Sequence, residues 1–240
     1  MPYIDLNSDV GEGYGAWPGG PDAELAPLLS SVNVACGFHA GDPGTMRRTV
    51  ELAVAHRCVI GAQVSYPDLA GFGRRFMEME PSDLTDAVVY QLGALDGFAR
   101  LSGTRVRYVK PHGALYNAVV HHDVQARALA RAVRAYDPGL PVLGLPRTAI
   151  QSACAGAGLR FVSEGFADRT YATDGTLVPR RRPGALLVDP VAAAVQALDL
   201  AEGNVESICV HSDTPGAPAL LKAVKQALMR AGYTPRPFVS

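Results

Sequence analysis

Short apolar runs rich in β-branched residues alternate along this chain with longer stretches of helical periodicity. The runs predict strands near 3–8, 31–37, 59–65, 105–110, 140–145, 160–165 and 207–212. Between them the spacing predicts helices over 22–29, 43–57, 82–101, about 114–136, 148–156, 189–202 and 217–231. Capping residues support several of these. Asp42 precedes Pro43, which suits an N-cap followed by proline in the first turn. Ser82 likewise opens SDLTDAVVYQLGAL. Gly232 follows the last helix as a C-cap glycine does. Seven strand–helix alternations predict a parallel sheet covered by helices. The 240 residues are close to the ~250 typical of a (β/α) barrel. The expectation is an α/β fold, a seven-stranded (β/α) barrel forming one domain over 1–240. An open doubly wound sheet is the alternative, because alternation alone does not show closure.

The stretch 166–188, FADRTYATDGTLVPRRRPGALLV, is too long for an ordinary βα loop of roughly 2–6 residues. It reads as a lid, with a hairpin turn at Asp174-Gly175.

Side chains alternate between the two faces of a strand. On that parity Asp5, Asn7 and Asp9 share a face, as do Asn33 with His39, Gln63 with Ser65, and Lys110 with His112. Cys209, His211 and Asp213 share another, and the sixth strand contributes Glu164. Parallel strands covered on both faces should read as nearly continuous apolar runs. Burying bare charge is costly unless it is paired or solvated. A single strand-end Asp or Asn is ordinarily a cap or turn residue. Repetition over six strand ends instead points to a polar cavity at the C-terminal mouth of a barrel, where sites on such folds lie.

Composition narrows the function. The chain is 48% hydrophobic and 19% charged, as a compact globular protein is. A net charge of -1 and no Lys/Arg stripe disfavour nucleic acid. No run reaches the ~18 apolar residues of a membrane span, and the acidic, polar start is unlike a signal peptide. Cys36, Cys58, Cys154 and Cys209 form no C-x-x-C pair, so they read as buried free thiols in a reducing cytoplasm.

The glycine-rich NSDVGEGYG (7–15) is neither a P-loop nor a dinucleotide fingerprint. Asp9 and Glu12 within it would repel phosphate. Asp9, His39 and His112 could ligate a divalent metal, or act as general acids and bases. Glu12, Lys110, Glu164, His211 and Asp213 complete the catalytic candidates. Arg74 and Arg75, after the third strand, suit carboxylate or phosphate. Asn7, Ser65, Asp168 and Arg169 are further candidate substrate contacts, and Arg180, Arg181 and Arg182 lie on the same long stretch as Arg169. Cys36 is a poor nucleophile candidate, since its parity opposes His39. His56, His121 and His122 read as helix-surface residues. Tyr14, Trp17, Tyr66 and Phe72 could line a pocket or pack. Asp42 is either a helix cap or a member of the site.

Six segments together resemble the LamB/YcsF family: IDLNSDVGEGYG, SVNVACGFHAGDP, GAQVSYPDLAGFGRR, VKPHGALYN, EGFADRTYATDGTLVPR and ICVHSDTPGA. They run in order from residue 4 to about 217. The resemblance implies a (β/α) barrel related to polysaccharide-deacetylase-like barrels. It also implies opening of the 5-oxo-L-proline lactam to L-glutamate, with ATP as co-substrate and with partner subunits B and C of a 5-oxoprolinase. Gln63 and Val64 stand where the third motif commonly has His-Pro, Ser8 where Cys or Ala is common, and Ser212 where Gly is. Gln63 removes a titratable group, so no obligatory proton transfer is assigned there. Two alternatives stay open: a stand-alone metal-dependent amidase, and a non-catalytic lactam-binding subunit.

Overall fold

The computed structural model describes residues 2–203 and 205–239. Seven parallel strands form the sheet: β1 (Tyr3–Val10), β2 (Ser31–Ala35), β3 (Val59–Val64), β4 (Tyr108–Pro111), β5 (Val142–Gly144), β6 (Phe161–Phe166) and β7 (Ser207–Cys209). Each pairs with the next, and β1 pairs with both β2 (Asp9↔Asn33) and β7 (Asn7↔Cys209), so the sheet closes into a barrel. The open-sheet alternative is thereby excluded. A two-residue β8 (Thr234–Pro235) adds to the start of β1; it has no apolar run to announce it.

Helices α1 (Asp22–Leu25), α2 (Pro43–Ala55), α3 (Pro81–Leu101), α4 (Gly113–His121), α5 (Asp123–Tyr136), α6 (Ala149–Ala157), α7 (Pro190–Glu202) and α8 (Ala217–Arg230) surround it. The main core lies between sheet and helices, where Ile4, Leu6, Ile60 and Ile208 meet Leu84, Leu92, Leu95 and Leu221, all buried. No helix among the described residues is long and apolar enough to cross a membrane. All four cysteines are free and buried.

Four local expectations change. The helix expected over 22–29 is one α-turn followed by a 3₁₀ turn at Ala26–Leu28, where Pro27 has no N–H to continue the ladder. The helix expected over 114–136 breaks at His122, whose Nδ1 accepts the Gln125 N–H at 3.4 Å and so caps α5. Ser82 is not a cap: α3 begins at Pro81, with Glu80 in the cap position. Asp42 is the α2 cap, accepting from Gly44 N (2.9 Å), Thr45 N (3.1 Å) and Thr45 Oγ1 (2.7 Å). The Thr45 hydroxyl and the Gly15 N–H hold its carboxyl down at about 2.

The barrel interior is layered. Tyr108, Leu143 and Val162 plug the N-terminal end. Gly61 on β3 makes room for Tyr108, since a Cβ there would lie 2.2 Å from the ring. Above the plug the interior turns polar. Asp5 accepts from the Ser30 (2.6 Å), Ser31 (2.7 Å) and Ser207 hydroxyls, and burial pushes its carboxyl up to about 6.

After β6 the chain forms a folded arm over 166–188. Antiparallel bridges pair Arg169 with Leu186 and Tyr171 with Leu177. Ala172 N donates to Thr176 O at 2.8 Å, and Gly175 adopts φ +82 at the turn.

Candidate active site

The lowest level of the site is a buried ion network. Lys110 Nζ donates to Glu164 Oε1 (2.6 Å), Asn7 Oδ1 (3.1 Å) and Cys209 Sγ (3.3 Å), and lies 3.6 Å from Asp9 Oδ1. Burial opposes the ammonium, but Asp9 and Glu164 hold it charged, well above the usual lysine range. Burial likewise opposes the Asp9 carboxylate, and Lys110 and then His211 hold it below its usual range. Glu164 is fully occupied: Oε1 also takes Asn7 Nδ2 (3.0 Å), and Oε2 takes Tyr116 Oη–H (3.0 Å). Glu164 and Asn7, expected respectively as a catalytic group and a substrate contact, therefore support Lys110 from beneath. Burial pushes the Cys209 thiol far up, and the buried Cys36 thiol rises for the same reason. Neither is a thiolate nucleophile.

At the mouth, His39 and His112 stack face to face with centroids 3.9 Å apart and planes 13° apart. Phe72 turns its edge to both rings, from a left-handed backbone at φ +55. His112 Nε2 donates to Phe72 O at 3.0 Å. Burial, followed by His39 and Arg74, presses His112 well below the usual histidine range, so its ring is neutral. Glu12 Oε1 lies 3.8 Å from His39 Nε2 and 3.5 Å from His112 Nδ1.

Glu12, His39 and His112 offer three ligand atoms within 4.8 Å of one another, close enough to hold a metal ion. The expected third ligand, Asp9, is not in this group. It sits inside β1, its Oδ1 accepting from Asn33 Nδ2 at 2.9 Å and facing Lys110. Beyond β1 the chain turns at Gly11 (φ +70) and brings Glu12 over the imidazoles instead. The donor types suit a divalent ion. Their state does not, because all three atoms are already hydrogen-bonded to one amide, that of Gln63.

Across the mouth His211 is oriented by Asp168. Its Nδ1 lies 3.0 Å from Asp168 Oδ1, its backbone N–H donates to Oδ2 (3.1 Å), and Thr214 Oγ1 donates to Oδ2 (2.5 Å). Burial works against the Asp168 charge, yet His211 and Thr214 hold the carboxyl below its usual range. A carboxylate only accepts, so the His211 proton sits on Nδ1 and Nε2 keeps its lone pair. Phe166 stacks on the ring at 5.0 Å and 13°. Asp168, expected against substrate, is thus the partner of His211.

The remaining candidates divide. Arg74 reaches the mouth over Phe72 and pairs with Asp213 at 3.0 Å. Asp213, expected in catalysis, is an exposed rim residue also bound by Arg180 from the arm. Arg75 turns away: its guanidinium grips Asp68, with Nε–Oδ1 2.9 Å. Arg169 donates to Val178 O (2.7 Å) and Ala185 O (3.3 Å), bracing the arm. Ser65 is buried beneath Gly73, where a Cβ would lie 2.3 Å from its hydroxyl, and it does not border the cavity. Tyr66 packs in the core with its hydroxyl on Gln125, while Trp17 is exposed. His56 and His121 are exposed, as expected.

Asp9, Arg74, Lys110, His112, Arg169 and His211 line one cavity of about 40 Å³. Small-molecule sites span roughly 300–1,000 Å³, so a ligand must displace the cover. A wider groove of about 430 Å³ opens beside Trp17 and Asp22, but it holds no histidine, cysteine or lysine. Sequence reasoning missed Tyr116 and Thr214. Tyr116 had a signal, lying four residues beyond His112 on the same helix face.

Residues 4–240 match the sequence model of the LamB/YcsF family. The chain belongs to that family. This LamB/YcsF protein is 52% identical to the 5-oxoprolinase A subunit of Kocuria rhizophila, over 99% of this chain and 100% of the relative. It is 50% identical to that of Mycobacterium avium, over the same shares. The crystal structure of the lactam utilization protein from Thermus thermophilus superimposes with a TM-score of 0.93 at 44% identity, over 98% of this chain and 100% of that one. A family 4 carbohydrate esterase from Streptomyces lividans shares the fold, with a TM-score of 0.53 at 14% identity, over 98% of this chain and 91% of that one.

Proposed function

We propose that this protein is the A subunit of an ATP-dependent 5-oxoprolinase, a hydrolase that opens 5-oxo-L-proline to L-glutamate together with partner subunits B and C. One observation carries the reading. The cavity joins an oriented imidazole (His211 Nε2), a charged lysine (Lys110) and two guanidinium groups (Arg74, Arg169), in a chain whose full-length relatives bear that name.

The chemistry asks for those groups. A five-membered lactam is an unactivated amide, and ATP is spent on making its carbonyl carbon electrophilic by phosphorylating the amide oxygen. Two waters are consumed overall, one opening the ring and one accounting for the ATP cleaved. Arg74 and Arg169 suit the substrate carboxylate or the phosphate, because guanidinium matches both bidentately. Lys110, held charged above Glu164, faces oxygen where negative charge develops. His211 Nε2 takes the proton of the attacking water, and Asp168 stabilises the imidazolium so formed. Arg180–Asp213–Arg74 ties the arm to the opposite rim. Parting that triad admits substrate, and re-forming it excludes water.

The test is reconstitution from separately purified subunits. Glutamate and ADP should appear one for one, and only when this chain, subunits B and C, 5-oxoproline and ATP are all present. Glutamate made by this chain alone without ATP, or by B and C without this chain, would refute the assignment.

A further inference from the structure

Gln63 touches every atom that a metal ion at the mouth would need. Its Nε2 lies 2.9 Å from Glu12 Oε1 and 2.9 Å from His112 Nδ1, and its Oε1 lies 3.2 Å from His39 Nε2. The side chain is fully buried. Its backbone is fixed on both sides, in register with Ala35 of β2 and Lys110 of β4.

The orientation of this amide follows from its neighbours. A carboxylate oxygen only accepts, so the NH₂ end faces Glu12. Phe72 O also only accepts, so His112 carries its proton on Nε2 and presents a bare Nδ1. That lone pair receives the second amide hydrogen. The amide oxygen then needs a donor, and His39 supplies it by carrying its proton on Nε2. His39 Nδ1 is left as a buried lone pair without a hydrogen-bond partner among the described residues. Every hydrogen in the cluster has one place, and both stacked rings can be neutral together.

We propose that Gln63 is a positioning residue: it sets the tautomers of the stacked His39–His112 pair and stands in place of a divalent ion among Glu12, His39 and His112. The reason is lone-pair accounting. His112 Nδ1 has one lone pair, and an N–H of Gln63 uses it. His39 Nε2 carries a hydrogen and has no lone pair to give. An ion bound at about 2.0–2.2 Å from these atoms would have to expel the amide and move the His39 proton. The proposal deepens the hydrolase reading, but its test involves no turnover, so the two can fail separately.

Zinc is titrated into the metal-free full chain, as wild type, Gln63→Ala and Gln63→Glu, followed by calorimetry and elemental analysis. Imidazole ¹⁵N NMR of the metal-free proteins reports the tautomers. Wild type should take up no stoichiometric zinc and show both His39 and His112 as the Nε2–H form. Gln63→Ala should bind one equivalent about 10- to 100-fold more tightly, since a hydrogen bond to a charged oxygen no longer competes, and should lose the fixed tautomers. Gln63→Glu keeps the side-chain size, so it decides the question if the alanine variant does not fold; it too should bind one zinc. One equivalent bound by wild type as tightly as by the variants would overturn the proposal. So would unchanged tautomers, or no zinc uptake, in the folded variants.

Discussion

Exchanging His211 for glutamine is expected to lower kcat of the reconstituted complex about 10²–10⁴-fold, the contribution of a positioned acid or base. KM for 5-oxoproline should change far less, because His211 acts on water rather than on the substrate anion. The effect should not come from unfolding: the ring is at the mouth, 8% exposed, and its loss leaves the core between sheet and helices intact. Asp168→Asn should act in the same direction through His211. An asparagine amide would donate to Nδ1, force the proton onto Nε2, and point a donor at the cavity where a lone pair is required. Steady-state kinetics with thermal melts of both variants separates the cases. Retention of more than half the wild-type kcat by His211→Gln would remove His211 from catalysis.

Replacing Lys110 by methionine is expected to cost about 3–5 kcal/mol of stability, the usual result of removing one partner of a buried ion pair. The ammonium has Glu164 at 2.6 Å and Asp9 at 3.6 Å, and methionine leaves both carboxylates buried and uncompensated. The pH dependence fixes the sign. Carboxyls stranded in this way titrate higher in the folded chain than in the unfolded one. The folded state then binds more protons, so the lost stability returns as pH falls and the deficit is largest at neutral pH. Adding Glu164→Gln to Lys110→Met should restore part of the loss, since it removes one stranded charge and keeps an acceptor for Tyr116. Urea denaturation at pH 5 and pH 7.5 checks both statements. Equal destabilisation at the two pH values would mean that the lysine contributes packing and not charge compensation.

The polar mouth was legible because strand parity is a local rule. Asn7, Asp9, Gln63, Lys110, Glu164 and Cys209 all face the interior, as alternation requires. Closure was not legible, because it rests on β1 pairing at both edges, and alternation of strand and helix is the same in an open sheet. Past the strand ends parity stops applying, and there the residue assignments slipped. Asp9 and Glu12 exchanged roles because Gly11 turns the chain. Arg74 and Arg75 are adjacent, yet Asp68 takes one and leaves the other to the mouth. Asp168 finds His211 across 43 residues of sequence, a pairing no local pattern announces. Gln63 was passed over for a different reason. An amide does not titrate, so it carries no signal as an acid, base or ligand, whereas hydrogen-bond accounting puts it at the centre of the cluster.

Where 5-oxo-L-proline sits is the most direct measurement. Co-crystals of this chain with the lactam should show it bounded by Arg74, Lys110 and His211, with the arm carrying Arg169 and Arg180 displaced to enlarge the 40 Å³ cavity. A lactam bound in the groove beside Trp17, with the mouth still closed, would contradict catalysis at the barrel mouth.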